Sequence, residues 1–209
     1  MLPLVALDAY TWRIMSAHVR ILVVAATSRE LAAPNGWRAH ACGVGPVEAA
    51  ASTAAAIAEY APHALLHVGI AGARRERGLA PASLVIGSAS HYCDLSTSGE
   101  WAPRIASPSP MLLACAQRAL PDAHLLPIGT SARIGGTLDD AACDVEAMEG
   151  FGVLRAAQLA GVPAVEIRAI SNDIDEEDRG RWHFAAAFAA ITGCTPDVVD
   201  HIVRELAHA

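Results

Sequence analysis

The chain predicts an α/β fold on a largely parallel sheet, and three observations carry that expectation. The continuous apolar run at 21–26 (ILVVAA) has the pattern of a strand buried on both faces, 64–70 (ALLHVGI) reads as a second buried strand, and 164–170 as a further strand. Segments with helix signals separate them, the alternation expected of a sheet covered by helices. The stretch from Asp144 to Asp173 then reads as strand, helix, strand in quick succession. Its two strands end in polar residues, Met148-Glu149 and Ser171-Asn172. Ligands of open α/β sheets sit in the crevice beyond the carboxyl ends of strands, so these two ends are the first place to look for a site.

Taken in order, 21–26 gives the first strand, Pro34-Asn35-Gly36 marks a turn, and 38–42 is a weaker strand candidate. Gly43-Val44-Gly45-Pro46 opens a helix expected to run to about Tyr60, with Pro46 suited to its first turn. A strand at 64–70 ends in Ala71-Gly72-Ala73. A further strand at 83–90, a helix at 110–120 and a short strand at 125–128 follow. A polar, glycine-rich stretch occupies 130–137. The strand near 144–148, the helix 150–160 and the strand 164–170 come next. The C-terminus predicts two helices, 177–191 and 196–207.

With 209 residues the chain fits one domain, 20–209, and residues 1–19 read as an N-terminal extension or a misassigned start. Asp8 and Arg13 interrupt that segment, which also lacks the basic leader of a secretion signal. No apolar run is long enough to span a membrane. Aromatic residues make up 5% of a chain that is 53% hydrophobic, so the core is expected to be aliphatic and alanine-rich. The net charge of −7, without a basic stripe, argues against a nucleic-acid polymer as partner but leaves a nucleoside open. Five scattered cysteines (Cys42, Cys93, Cys115, Cys143, Cys194) suit a reduced, cytoplasmic setting better than a disulfide framework.

Three residues are the chemical candidates, and each carries two readings. Glu149 could accept hydrogen bonds from a ribose diol, or merely complement a helix dipole. Asn172 could read a base, or terminate a strand as a turn former. Glu30 could activate water, or close the capping box that Thr27 and Glu30 spell. His91, Cys93 and Asp94 would still need one or two ligands from elsewhere to hold a zinc ion, and none has motif spacing, so no metal site is expected. Gly43-x-Gly45 lacks the third glycine of a dinucleotide fingerprint.

Together the segments ILVVAATSREL, GVGPVEAA, HVGIAGA, EAMEGFG and VEIRAISND resemble the nucleoside phosphorylase/nucleosidase superfamily over most of residues 20–207. The resemblance implies a single-domain, three-layer α/β/α nucleoside phosphorylase-like fold with a largely parallel, mixed central sheet. It implies that Glu149 binds the ribose hydroxyls, with Met148 lining the ribose. Asn172 would face N7 of a purine, oriented by Ser171, and Glu30 would activate the water. Ile70 stands in HVGIAGA where relatives often have Ser or Thr, which removes a phosphate contact and disfavours phosphorolysis. Gly72 lies in the same strand end. Arg133 occupies the segment that elsewhere places a Phe over the base, and could stack on a base or reach a substrate carboxylate.

Within the superfamily, the Met-Glu-Gly-Phe-Gly run, the Ile-Ser-Asn ending and a following helix expected to carry Trp182 look most like the futalosine hydrolase branch. Methylthioadenosine/S-adenosylhomocysteine nucleosidases place Asp where this chain has Asn172. An amide can donate to the two acceptors of a 6-oxopurine but cannot protonate N7. The expectation is therefore hydrolysis of a 6-oxopurine nucleoside, futalosine to hypoxanthine and the dehypoxanthine product of menaquinone synthesis. No cofactor is implied, and a homodimer is. Methylthioadenosine-type hydrolysis, phosphorolysis and a non-catalytic nucleoside-binding domain are the alternatives.

Overall fold

Five β-strands of this protein close on one another, and the ring they form positions everything that follows. The structure is a computed structural model, and it describes residues 19–96, 100–135 and 143–208. The expected N-terminal extension lies outside the described residues except for Val19. The elements are β1 (Ile21–Ala25), β2 (Arg38–Ala41), α1 (Pro46–Tyr60), β3 (Ala64–Ala73), β4 (Leu84–Tyr92) and β5 (Ile105–Ala106). They continue with α2 (Pro110–Ala119), β6 (His124–Thr130), β7 (Val145–Ala147), α3 (Gly150–Leu159), β8 (Ala164–Asp173) and α4 (Phe184–Ala207).

The sheet is mixed. The pairs β1–β2, β1–β3, β3–β8, β4–β6 and β6–β7 run parallel, whereas β3–β7, β4–β8 and β4–β5 run antiparallel. Because β8 pairs with both β3 and β4, the circuit β3–β8–β4–β6–β7–β3 is complete. All five ring strands contribute to one apolar cluster, with Ala71, Val85, Ile128, Val145 and Ile170 among its members. Two further clusters lie against the helices. Ile21 and Val23 face α2 and α4 through Leu112, Ile191 and Val198, while Leu22 and Val24 face α1 and α3 through Ala49, Ile57 and Leu154. The alternation of β1 between these clusters explains its unbroken apolar run: both faces are core. Helices thus cover the sheet on both sides, the three-layer arrangement expected.

The C-terminal expectation needs correction. Residues 184–207 form one helix that passes through Pro196, not two helices meeting near it. A proline inside a helix costs roughly 3 kcal/mol through its missing N–H and the clash with the preceding turn. Here Ala187, Ile191, Cys194, Val198 and Ile202 continue one buried stripe across the proline, and that burial outweighs the penalty. The helix also begins later than the sequence suggests. Residues 179–181 form a single 3₁₀ turn, with Asp178 accepting from the Gly180 N–H, so Trp182 precedes the helix and does not ride on it. Among the described residues, no helix is long and apolar enough to cross a membrane.

Candidate active site

The first strand delivers Glu30. Beyond Ala25 the chain makes one 3₁₀ turn, Ser28–Glu30, which folds Glu30 back under the end of β1, where it is 4% exposed. Its Oε2 accepts from the Thr27 backbone N–H (2.9 Å) and the Thr27 hydroxyl (2.8 Å), and its Oε1 accepts from the Ile70 N–H (3.2 Å). The carboxylate half of the capping box is therefore real. It occupies one oxygen and aims the other toward the end of β3.

Glu149 sits where two helices begin. It is the N-cap residue of α3, and its Oε1 accepts from the N–H of Gly45, the N-cap residue of α1 (3.3 Å). Gly45 has φ +94° and ψ 159°, a conformation open essentially to glycine alone, so the Gly-Val-Gly run serves to turn that N–H toward the carboxylate. The two helix starts touch: a Cβ on Gly152 would lie 2.5 Å from the Pro46 carbonyl oxygen. Both positive dipole ends thus converge on Glu149. Its Oε2 accepts from Arg168 Nη1 (3.3 Å). Burial nonetheless pushes the carboxyl above its ordinary value, against the opposing pull of Arg168 and the Gly45 N–H. The start of α3 is anchored by Thr130 at the end of β6, whose hydroxyl oxygen accepts from the Phe151 N–H (2.8 Å).

A bulge supplies the third group. The β3–β8 register runs evenly to Ala71↔Ile170 and then resumes at Gly72↔Asn172, which leaves Ser171 as an extra residue on β8. Bulges of this kind re-aim side chains and recur beside functional sites. The Asn172 amide nitrogen donates to the Asp173 carbonyl (2.7 Å), and its Oδ1 accepts from the Ser171 hydroxyl (2.6 Å). Flipping the amide would set two acceptors face to face at the Asp173 carbonyl, so the orientation is fixed by its partners. One N–H of the amide then remains to meet a ligand.

All eight residues singled out from the sequence (Glu30, Ile70, Gly72, Arg133, Met148, Glu149, Ser171 and Asn172) line a single cavity of about 370 Å³. Gly72 leaves the space that Asn172 occupies, since a Cβ there would lie 3.1 Å from its amide nitrogen. Asp94, weighed above with His91 and Cys93, instead accepts hydrogen bonds from the Ser131 hydroxyl and the Ala132 N–H and so fixes the loop that carries Arg133. Sequence reasoning missed much of the wall. Trp182, Phe184 and Phe188 form an aromatic side, with Trp182 and Phe184 ring centroids 5.3 Å apart. Arg29 and Arg179 lie over Phe188 and Trp182 respectively. Glu146 adds a third carboxylate, paired with Arg74 at 3.1 Å. It also missed Arg168 and its partners behind the wall, although a charged Glu166-x-Arg168 inside an apolar strand was a visible signal.

A sequence model described as the phosphorylase superfamily matches residues 38–204 of the chain. A curated futalosine hydrolase from Streptomyces coelicolor is 37% identical over 189 residues, spanning 76% of this chain and 77% of that protein. Among solved structures, the chain is similar to a 5′-methylthioadenosine/S-adenosylhomocysteine nucleosidase from Colwellia psychrerythraea in complex with adenine. The TM-score is 0.75 at 17% identity, over 90% of this chain and 96% of the other. A futalosine hydrolase from Helicobacter pylori gives 0.74 at 17% identity, over 90% and 98%.

Proposed function

We infer from its place in the phosphorylase superfamily, to which the chain belongs, that this protein is an N-glycosyl hydrolase of 6-oxopurine nucleosides, with futalosine as substrate. Water replaces the base at C1′ of the ribose, and the products are dehypoxanthine futalosine and hypoxanthine. The observation that carries the base preference is the pinned Asn172 amide, whose remaining N–H suits the adjacent N7 and O6 acceptors of a 6-oxopurine.

Three groups divide the work. Glu30, with Oε1 turned toward the end of β3, takes the proton from water as the C1′–N9 bond breaks. Glu149 binds the ribose hydroxyls and sets negative charge near the developing cation; its oxygens keep acceptor capacity beyond their two protein donors. Asn172 stabilises the electron density that leaves with the base. Met148 lines the sugar, Ile70 fills the space that a phosphate would need, and Trp182 closes the side of the cavity. Arg133 has no acidic partner among the described residues and reaches an anionic group on the 5′-substituent. The reaction draws on no metal or organic cofactor. A second copy of the chain would cover Val44 and Ile134, apolar residues exposed at the rim of the cavity.

The test is incubation with futalosine and chromatographic detection of hypoxanthine, alongside methylthioadenosine and inosine plus phosphate. Release of hypoxanthine from futalosine alone supports the assignment. Preferred cleavage of methylthioadenosine, phosphate-dependent cleavage of inosine, or tight binding without turnover each refutes it.

A further inference from the structure

Behind Glu149 lies a set of buried charges that never touches the cavity. Arg168 on β8 is fully buried, and each of its three nitrogens has a separate assignment. Nε donates to Glu166 Oε1 (2.8 Å), Nη2 donates to His67 Nε2, and Nη1 donates to Glu149 Oε2 (3.3 Å) and the Ile70 carbonyl (3.4 Å). Glu166 and His67 are also fully buried, and neither lines the cavity.

The protonation of His67 follows from its neighbours. Nδ1 lies 3.0 Å from the Val24 carbonyl oxygen, which can only accept, so the ring proton is on Nδ1. Nε2 is then a lone pair, matched to the guanidinium. Burial, reinforced by the Arg168 charge, holds the imidazole neutral with its pKa well below the ordinary value. A planar guanidinium with Nε fixed by Glu166 and Nη2 fixed by His67 has no freedom left at Nη1.

The strand register makes this geometry unavoidable. His67 lies opposite Glu166 and Gly69 opposite Arg168 on the paired strands β3 and β8. A Cβ on Gly69 would collide with Arg168 Nη1, and one on Gly150 would collide with the Glu166 carboxylate. Glu166 therefore braces Glu149 twice: through Arg168, and directly under Gly150, the next residue in the chain. Replacing a buried charge cluster of this kind whole by apolar residues of similar volume is often neutral or stabilising, although removing one partner alone is destabilising.

We propose that Glu166 and His67 are positioning residues for the cleavage reaction, which lock Arg168 so that it holds the Glu149 carboxylate in the orientation that receives the ribose diol. The proposal rests on the ribose-binding reading of Glu149 given above. Its signature is selective. Loosening Arg168 reduces the use made of the sugar hydroxyls, and it leaves a substrate without that contact largely unaffected.

The experiment compares kcat/KM for futalosine and its 2′-deoxy analogue in wild type, Glu166→Gln, His67→Gln and His67→Leu. Glu166→Gln keeps the shape and removes the charge, while His67→Gln keeps an acceptor for Nη2 and His67→Leu does not. The ribo-to-deoxy ratio should fall at least fivefold in Glu166→Gln and His67→Leu, stay within about twofold of wild type in His67→Gln, and fall no further when either change is added to Glu149→Gln. Equal losses on both substrates, or full additivity with Glu149→Gln, overturn the proposal. If His67→Leu does not fold, Glu166→Gln decides alone: an unchanged ratio in that variant refutes the positioning role. A protein that cleaves neither substrate refutes the proposed reaction instead. The ratio of dissociation constants for the two nucleosides then carries the same comparison, so the two failures are separable.

Discussion

Replacing Asn172 by Asp removes a donor in the cavity whose direction is fixed by its partners. In the native side chain, Oδ1 takes the Ser171 hydroxyl at 2.6 Å and the amide nitrogen faces the Asp173 carbonyl at 2.7 Å. An aspartate keeps the first contact and turns the second into two acceptors facing each other. The side chain relieves that repulsion by rotating or by taking up a proton, and either way it loses the N–H that met the base. Leaving O6 of a bound 6-oxopurine unpaired costs about 1–3 kcal/mol, which corresponds to roughly a 5- to 150-fold loss in kcat/KM. A 6-aminopurine escapes that loss, because its exocyclic group donates toward the new acceptor. The assay is kcat/KM for a matched hypoxanthine and adenine pair with the same 5′-substituent, in wild type and Asn172→Asp. A ratio that fails to move toward adenine in a variant that melts like wild type refutes the base-reading role, and the 6-oxopurine assignment with it.

Other outcomes follow from the same geometry. Glu30→Gln should lower kcat by about two to four orders of magnitude with little change in KM, the usual worth of a positioned base, and near-normal turnover would leave Glu30 only its cap to Thr27. Thr130→Val orphans the buried Phe151 N–H and should cost about 1–3 kcal/mol of stability in a denaturant titration; no loss would show that the start of α3 is held by other contacts. For Glu149, the folded carboxyl has a pKa raised by burial, so the folded state holds its proton more tightly than the unfolded state. The stability this contributes is complete below the ordinary carboxylate pKa and is lost as pH rises through the raised value. Melting temperatures of Glu149→Gln should therefore gain on wild type as pH climbs across that window, and a constant difference would contradict the stated direction. Cys42 and Cys194, each pushed by burial up to about 12, should resist alkylation at mildly alkaline pH until denaturant is added.

The legibility of this chain follows the range of the interactions involved. Strands β1, β3 and β8 were readable because each is buried on both faces and so appears as a mostly apolar run, unbroken in β1 and interrupted in β3 and β8 by the buried His67, Glu166 and Arg168. The break expected at Pro196 was wrong because propensity is local, whereas the stripe from Ala187 to Ile202 is buried by packing against distant strands. Closure of the ring was out of reach for the same reason. It depends on β8 meeting both β3 and β4, and alternation along one strand does not say which neighbours it will have.

The site divides along the same line. Glu30 and Glu149 stand just past strand ends and Asn172 one residue before the end of β8, where sequence position alone suggests a ligand. Each also carried a bland alternative that local reasoning could not dismiss. At Glu30 the cap takes only part of the carboxylate: one oxygen closes the cap while the other accepts from the Ile70 N–H. Glu149 begins a helix and yet spends its oxygens on Gly45 and Arg168, not on its own helix. Arg168 marks the limit of such reading. A Glu-x-Arg pair in an apolar strand announces that a charge is buried, but its partners His67 and Glu149 come from other segments. Only the register that sets His67 against Glu166, and leaves Gly69 empty beside Arg168, shows that the buried charge is turned toward Glu149.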